Sequence, residues 1–267
     1  MLRPMAVAGA FYPANPNALT EEIDRYLEPS AKRQDALGCV VPHAGILYSG
    51  QVAGAVYSRL ALTESVIILC PNHTGRGRPL AILSEGAWET PLGPVPIDTP
   101  LATALMDSFP ELEEDPEAHR REHSLEVQLP FLRKLQPEIC IVPIALGTGR
   151  FDTLETLGNN LARVLMDLSP RPLIIASSDM NHFESDKVSR KKDKLAIDRV
   201  LDLDPKGLFE TVHEHNISMC GYGPTIAMLT ATRMLGAESA ELIRYANSGE
   251  ITGDTQSVVG YAGIIVQ

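Results

Sequence analysis

Three apolar runs in this chain each lead directly into a histidine. They are Leu37–His43 (LGCVVPH), Ser65–His73 (SVIILCPNH) and Pro172–His182 (PLIIASSDMNH). Neutral imidazole is the commonest metal-binding side chain and a general acid/base near neutral pH. In α/β sheets, ligands collect at the carboxyl ends of the strands. Three histidines at three such ends can therefore meet at one point, which predicts a metal centre or a catalytic site. His43 and His73, each in a compact turn beside Pro, Asn or Gly, form a candidate metal half-site.

Asp179 and His182 stand three apart in SSDMNH. On a helical turn the two would share a face, as a ligand pair or as an acid/base histidine with its orienting carboxylate. The competing reading is that Ser177, Ser178 or Asp179 caps a following helix. Cys220 lies in MCGYGPTIAML, where Pro224 suits a first helical turn. A thiol at a helix N-terminus has a lowered pKa, which predicts a metal ligand or a nucleophile; a small apolar residue in a tight turn is the alternative. Glu122-His123-Ser124 either caps a helix or faces the same cleft, and Gly147–Arg150 follows another strand end, where it can meet an anion. For His119, His213 and His215, in charged helical surroundings, a structural or surface role is expected. Walker A, GxGxxG, GxSxG and HExxH motifs do not occur, which disfavours nucleotide-binding folds, α/β hydrolases and zincins.

These residues need a frame. The runs beginning near 37, 65, 138 and 172 are continuously apolar, as in parallel strands covered on both faces. Helical patterns at 19–27, 51–60, 99–108, 122–135, 151–168, 187–215 (two helices) and 224–236 alternate with them. Pro130 kinks or delays the helix expected over 122–135. Short strands near 80–83 and 87–97 surround a Gly/Pro-rich segment that suggests a hairpin or an excursion, residues 1–16 read as an irregular lead-in, and strands at 239–246 and 257–266 are close enough to pair antiparallel. The expectation is one α/β domain over residues 1–267, a three-layer α/β/α sandwich with a mixed, largely parallel central sheet.

The formal charge of −11 argues against a nucleic-acid partner and against an anionic membrane surface. The N-terminus lacks a sustained apolar stretch, so no signal peptide is expected. Cys39, Cys70, Cys140 and Cys220 form no CxxC pair, and three lie in strand-like runs, as expected of reduced thiols in a cytoplasmic protein.

The motifs GAFYP (9–13), VPHAGILYSG (41–50), PNH (71–73), EHSLEVQLPF (122–131), SSDMNH (177–182) and CGYGP (220–224) stand in one order. In that order they resemble the Memo-like proteins, also called AmmeMemoRadiSam system protein B, over nearly the whole chain. That family is similar to the class III extradiol ring-cleavage dioxygenases. The resemblance implies His43, His73 and Cys220 as metal ligands, with His182 as acid/base and Asp179 as its cleft neighbour. Cysteine replaces the glutamate of the dioxygenases, so iron is the first expectation and copper or zinc the alternatives. The implied activity is metal-dependent oxidoreduction of a small substrate. The alternative is a non-catalytic adaptor, with or without metal, that binds a peptide in the old cleft, as animal relatives do with phosphotyrosine peptides. Nucleophilic catalysis by Cys220, with His182 or His73 as base, is a third reading. Radical-SAM and AMMECR1-like proteins are the pathway partners that the resemblance implies.

Overall fold

In the computed structural model, which describes residues 1–267, the unbroken apolar runs form the middle of the sheet. The chain begins with β1 (Leu2–Arg3), α1 (Pro16–Tyr26), β2 (Gly38–Val41), α2 (Ile46–Arg59), β3 (Ser65–Pro71) and β4 (Leu80–Ile82). It continues through β5 (Ala87–Trp88), β6 (Val95–Pro96), α3 (Thr99–Ser108), β7 (Glu113–Glu114) and α4 (Pro116–His119). A 3-10 turn (Glu126–Gln128), α5 (Leu129–Leu135), β8 (Cys140–Leu146), α6 (Phe151–Leu165), β9 (Leu173–Ser177) and β10 (His182–Glu184) follow. The last part holds α7 (Asp186–Leu201), α8 (Pro205–Glu214), α9 (Tyr222–Met234), β11 (Ala240–Asn247), α10 (Gly249–Thr252) and β12 (Val258–Val266).

The large sheet runs β10-β12-β2-β9-β3-β8-β4-β7, with β11 also pairing β12. Its centre is parallel: β2 with β9, β9 with β3, and β3 with β8. The edges turn antiparallel at β12 and at β4, so the sheet is mixed, as the sequence predicts. β11 and β12 form the expected antiparallel pair.

Two close approaches set the three layers. A Cβ on Gly38 would lie 2.7 Å from Met228 Sδ of α9. Gly38 pairs with Val266 in β12; three residues earlier, a Cβ on Gly263 would lie 2.5 Å from Val56 of α2. Side chains alternate along a strand, so α9 and α2 lie on opposite faces. Sixty-six buried residues join in one apolar cluster through these layers. No helix is long and apolar enough to cross a membrane.

Residues 1–16 are mostly irregular, as expected, but they are tied down: β1 pairs β5, and Arg3 and Tyr12 are buried. The helix expected over 122–135 is delayed, one of the two effects expected of Pro130: it starts at Leu129, with Pro130 in its first turn, where a missing N–H costs nothing. The residues before it spend their polar groups on side-chain contacts instead. α2 begins at Ile46, earlier than the apolar pattern marks.

The close approaches give a stability test. Gly263→Ala is expected to destabilise by about 1–3 kcal/mol in urea titration, because Val52 and Val56 are β-branched and held on a helix. Gly38→Ala is expected to cost less, since its nearest neighbour is the flexible Met228 side chain.

Candidate metal centre

The strand order places β9 between β2 and β3, all parallel, so their carboxyl ends lie side by side. His43 follows β2, His73 follows β3, and the loop from Ser178 to Asn181 follows β9. A cavity of about 520 Å³ opens there, and His43, His73, Asp179 and His182 all line it, together with His123. The ring nitrogens of His43, His73 and His123 lie within 4.8 Å of one another, a spacing that can hold a metal ion. Cys220 Sγ is 3.2 Å from His43 Nε2.

The outer contacts fix which nitrogen of each imidazole is free. Ser177 Oγ donates to Ser124 O (2.6 Å) and accepts from Gln128 Nε2 (2.8 Å). Gln128 is oriented in turn by Pro42 O and the Tyr57 hydroxyl. Ser177 can therefore only accept from His43 Nδ1, at 2.9 Å, which leaves His43 Nε2 unprotonated and facing the cleft. His43 is buried, and burial with His73 and His123 nearby holds its pKa well below the ordinary range.

Glu122 does the same for His73. Its carboxylate is fully buried and accepts from His73 N (2.6 Å), His73 Nδ1 (2.9 Å), Ser124 N (3.0 Å) and Ser124 Oγ (2.7 Å). Burial alone would raise its pKa, but the His73 and Ser124 bonds outweigh it and bring it to about 2. An ionised carboxylate only accepts, so His73 carries its proton on Nδ1 and presents Nε2. His123 stacks on His73 with ring centroids 4.6 Å apart and meets Phe11 at 4.8 Å.

Asp179 and Cys220 depart from the roles that spacing predicts. The residues after β9 are not helical, and Asp179 caps no helix: its Oδ1 accepts from His43 N (2.7 Å) and Ala44 N (3.2 Å). It makes no hydrogen bond to His182, whose N–H donates to Ser218 Oγ (2.7 Å) and whose Nδ1 faces Ser218 O (2.8 Å). A carbonyl only accepts, so His182 also keeps Nε2 free. The Cys220 thiol is pushed well above its ordinary range, first by burial and then by the Asp179 carboxylate. This reverses the lowering expected at a helix start; α9 begins at Tyr222, and the sulfur lies against Asp179 N at 3.4 Å. Gly147–Arg150 does not line this cavity. His119 is a buried structural residue, edge-on to Trp88.

Sequence reasoning left Glu122 and His123 between capping and the cleft. The signal was a charged pair opening an otherwise apolar segment. Their support was invisible: Arg3, from the first strand, donates to His119 O and Glu122 O, stacks on Trp88 at 4.2 Å, and pairs with Glu126. Glu126, fully buried, also accepts from Ala6 N, Val7 N and the Tyr12 hydroxyl.

Fold and cleft together define an α/β protein with a histidine cluster fit for a metal at the carboxyl edge of a mixed sheet. The model of the Memo-like protein family matches residues 3–265, and the chain belongs to that family. MEMO1 family proteins are similar throughout. That of Methanosarcina mazei is 42% identical over 268 residues, covering 100% of this chain and 99% of the relative. That of Pyrobaculum arsenaticum is 40% identical over 276 residues, covering 99% and 98%. The crystal structure of an uncharacterized Escherichia coli K12 protein, JW3007, shares the fold at a TM-score of 0.58 and 15% identity, covering 85% of this chain and 98% of its own.

The buried Arg3–Glu126 pair is expected to be costly to break. Arg3→Met leaves an uncompensated buried carboxylate and should cost about 3–5 kcal/mol in urea titration. Arg76→Met, which breaks the exposed pair with Glu117, should change stability by under about 1 kcal/mol.

His119 gives a pH test. Burial lowers its pKa to about 4 in the fold, against about 6.5 in an unfolded chain. Between those values only the unfolded chain takes up the proton. Stability is therefore lost as pH falls from about 6.5 to 4, by up to about 1.4 kcal/mol per pH unit. In His119→Gln, measured by urea titration across that window, the slope should flatten by this amount.

Proposed function

We propose that this protein, read as one domain over residues 1–267, is a metal-dependent oxidoreductase acting on a small substrate in the histidine cleft. The observation that carries the reading is the pair of locked tautomers: His43 and His73 each bind away their Nδ1 proton and turn Nε2 toward the same space. That is the arrangement of metal-ligating histidines with their outer-sphere partners. His43, His73 and Cys220 are the ligand set we propose, with His123 close enough to serve as a further donor. Iron is the first choice for these donors, with copper and zinc as alternatives. Iron or copper held there with open positions would supply redox chemistry and a binding point for substrate oxygen, whereas zinc would supply only the binding point.

The chain's own residues handle the proton. His182, free at Nε2 and fixed through Ser218, takes a proton from a substrate hydroxyl and returns it to the product. Asp179, whose pKa burial raises, holds the His43 turn through two backbone N–H groups and lines the cleft together with His182. The raised pKa of Cys220 disfavours a free thiolate nucleophile and suits a thiol deprotonated only on coordination.

A second reading, a binding protein using this cleft without turnover, draws support from its exposed aromatic lining, Phe183 and Tyr48. Its occupant would be a peptide or partner protein, and chelation would leave its affinity unchanged.

Metal analysis of anaerobically purified protein tests the site. Wild type should carry close to one equivalent, and His43→Ala and His73→Ala almost none. Equal content in all three would sink the proposal. Glu122→Gln keeps every ligand and should weaken metal affinity by about 10–100-fold. With Co(II) loaded, Cys220→Ser should lose the thiolate charge-transfer band.

A further inference from the structure

Phe183 carries backbone strain that nothing in the fold repays. Its φ is +60°, in the left-handed region that costs most for bulky residues. Leu203 and Asn216 share a positive φ, but each follows the end of a helix, where that conformation is common. Phe183 instead lies within β10, where the register shifts between His182 and Glu184. It is 76% exposed, so burial does not compensate. Both neighbours are tied down: His182 N donates to Ser218 Oγ, and Glu184 meets Asn181 Nδ2 and Lys192. The bulge therefore sets the phenyl ring at the cleft wall, beside His182. Strain of this kind at a cleft points from geometry to function.

The rest of the wall shows what the ring meets. Phe11, Tyr48 and Tyr261 also line the cleft, in a chain with only six Phe and seven Tyr. None of the 23 Lys and Arg residues does. Without such a residue, a phosphate or carboxylate away from the histidines finds no counter-charge. An uncharged apolar group, by contrast, gains from leaving water against these rings.

We propose that Phe183 is the specificity-determining residue of the cleft, covering the uncharged apolar body of a ligand whose polar end reaches the histidines. The placement of that polar end rests on the metal reading above; the selection of the body does not.

Hydroxamates separate the two ends. Acetohydroxamate, benzohydroxamate and 4-carboxybenzohydroxamate share one chelating head and differ in body. Each is titrated by NMR into zinc-loaded and into EDTA-treated protein. Wild type should prefer benzohydroxamate over each of the other two by at least ~10-fold, and the preference should persist, at weaker absolute affinity, after EDTA. In Phe183→Asn and Phe183→Gly the preference over acetohydroxamate should fall toward one, with zinc affinity unchanged. Both substitutions accept a left-handed φ, so Tm should rise by roughly 2–4 °C. A residue that only supported the fold would give the opposite sign. An unchanged preference in both variants overturns the proposal, as does a wild type with no preference in either form. A wild type that takes up no zinc but keeps the Phe183-dependent preference overturns the metal reading alone.

Discussion

Glu122 and Glu126 are carboxylates without solvent, four residues apart, and the site depends on how they are satisfied. A buried carboxylate is tolerated only when donors surround it. Glu126 collects an arginine, two backbone N–H groups and a tyrosine hydroxyl from the first dozen residues. Glu122 collects His73 and Ser124. The segment between them therefore cannot be a regular helix at its start, and it carries His123 into the cleft. Arg3 closes the loop by holding the Glu122 carbonyl while its charge meets Glu126. The N-terminal strand is thus joined to the histidine that follows β3 through one peptide carbonyl and one carboxylate.

A second network works from the opposite side. Tyr57 on α2 orients Gln128, Gln128 meets Ser177 at the end of β9, and Ser177 receives the proton of His43 after β2. A change in the packing of α2 would therefore reach the tautomer of His43. The two networks meet at Ser124, whose hydroxyl donates to Glu122 and whose carbonyl accepts from Ser177. The centre is held by secondary structure and by a continuous set of buried hydrogen bonds, which fits a site that must keep its geometry with or without an ion.

Much of this was legible in the amino-acid order because hydrophobic patterning reports local burial. The runs ending at His43 and His73 read as buried strands on adjacent positions, but strand order is set by tertiary pairing, and the structure inserts β9 between them. His182 was placed at the same edge by the same argument. The missing parts are those where chemistry depends on partners far away in sequence. Glu122 looks like a cap until His73, 49 residues away, takes up its oxygens. Asp179 looks like an orienting partner for His182 because three-residue spacing presumes a helix, but the loop is not helical and its carboxyl group turns to the His43 backbone instead. The pKa of Cys220 was misread for a related reason. Proximity to a helix start lowers a thiol pKa only where that effect outweighs desolvation, and here burial, followed by the Asp179 charge, raises it.

Charge completes the argument for a cation. Among the ionisable residues of the cleft wall, Asp179 has a carboxyl group whose pKa burial raises, and the ionised Glu122 lies directly behind His73. His43 is held neutral by burial and by its two neighbouring imidazoles, and His123 is lowered by burial as well. Lysine and arginine are absent from the wall. Neutral nitrogens aimed inward, with negative charge behind them, make a potential that a proton relieves poorly, because protonating one imidazole opposes protonating the next. A divalent cation would meet both demands at once. It would bind the lone pairs that the outer hydrogen bonds leave free and compensate the Glu122 charge without separating the rings. Burial first, and the Asp179 charge second, raise the pKa of the Cys220 thiol; in the proposed ligand set this thiol would ionise only on coordination.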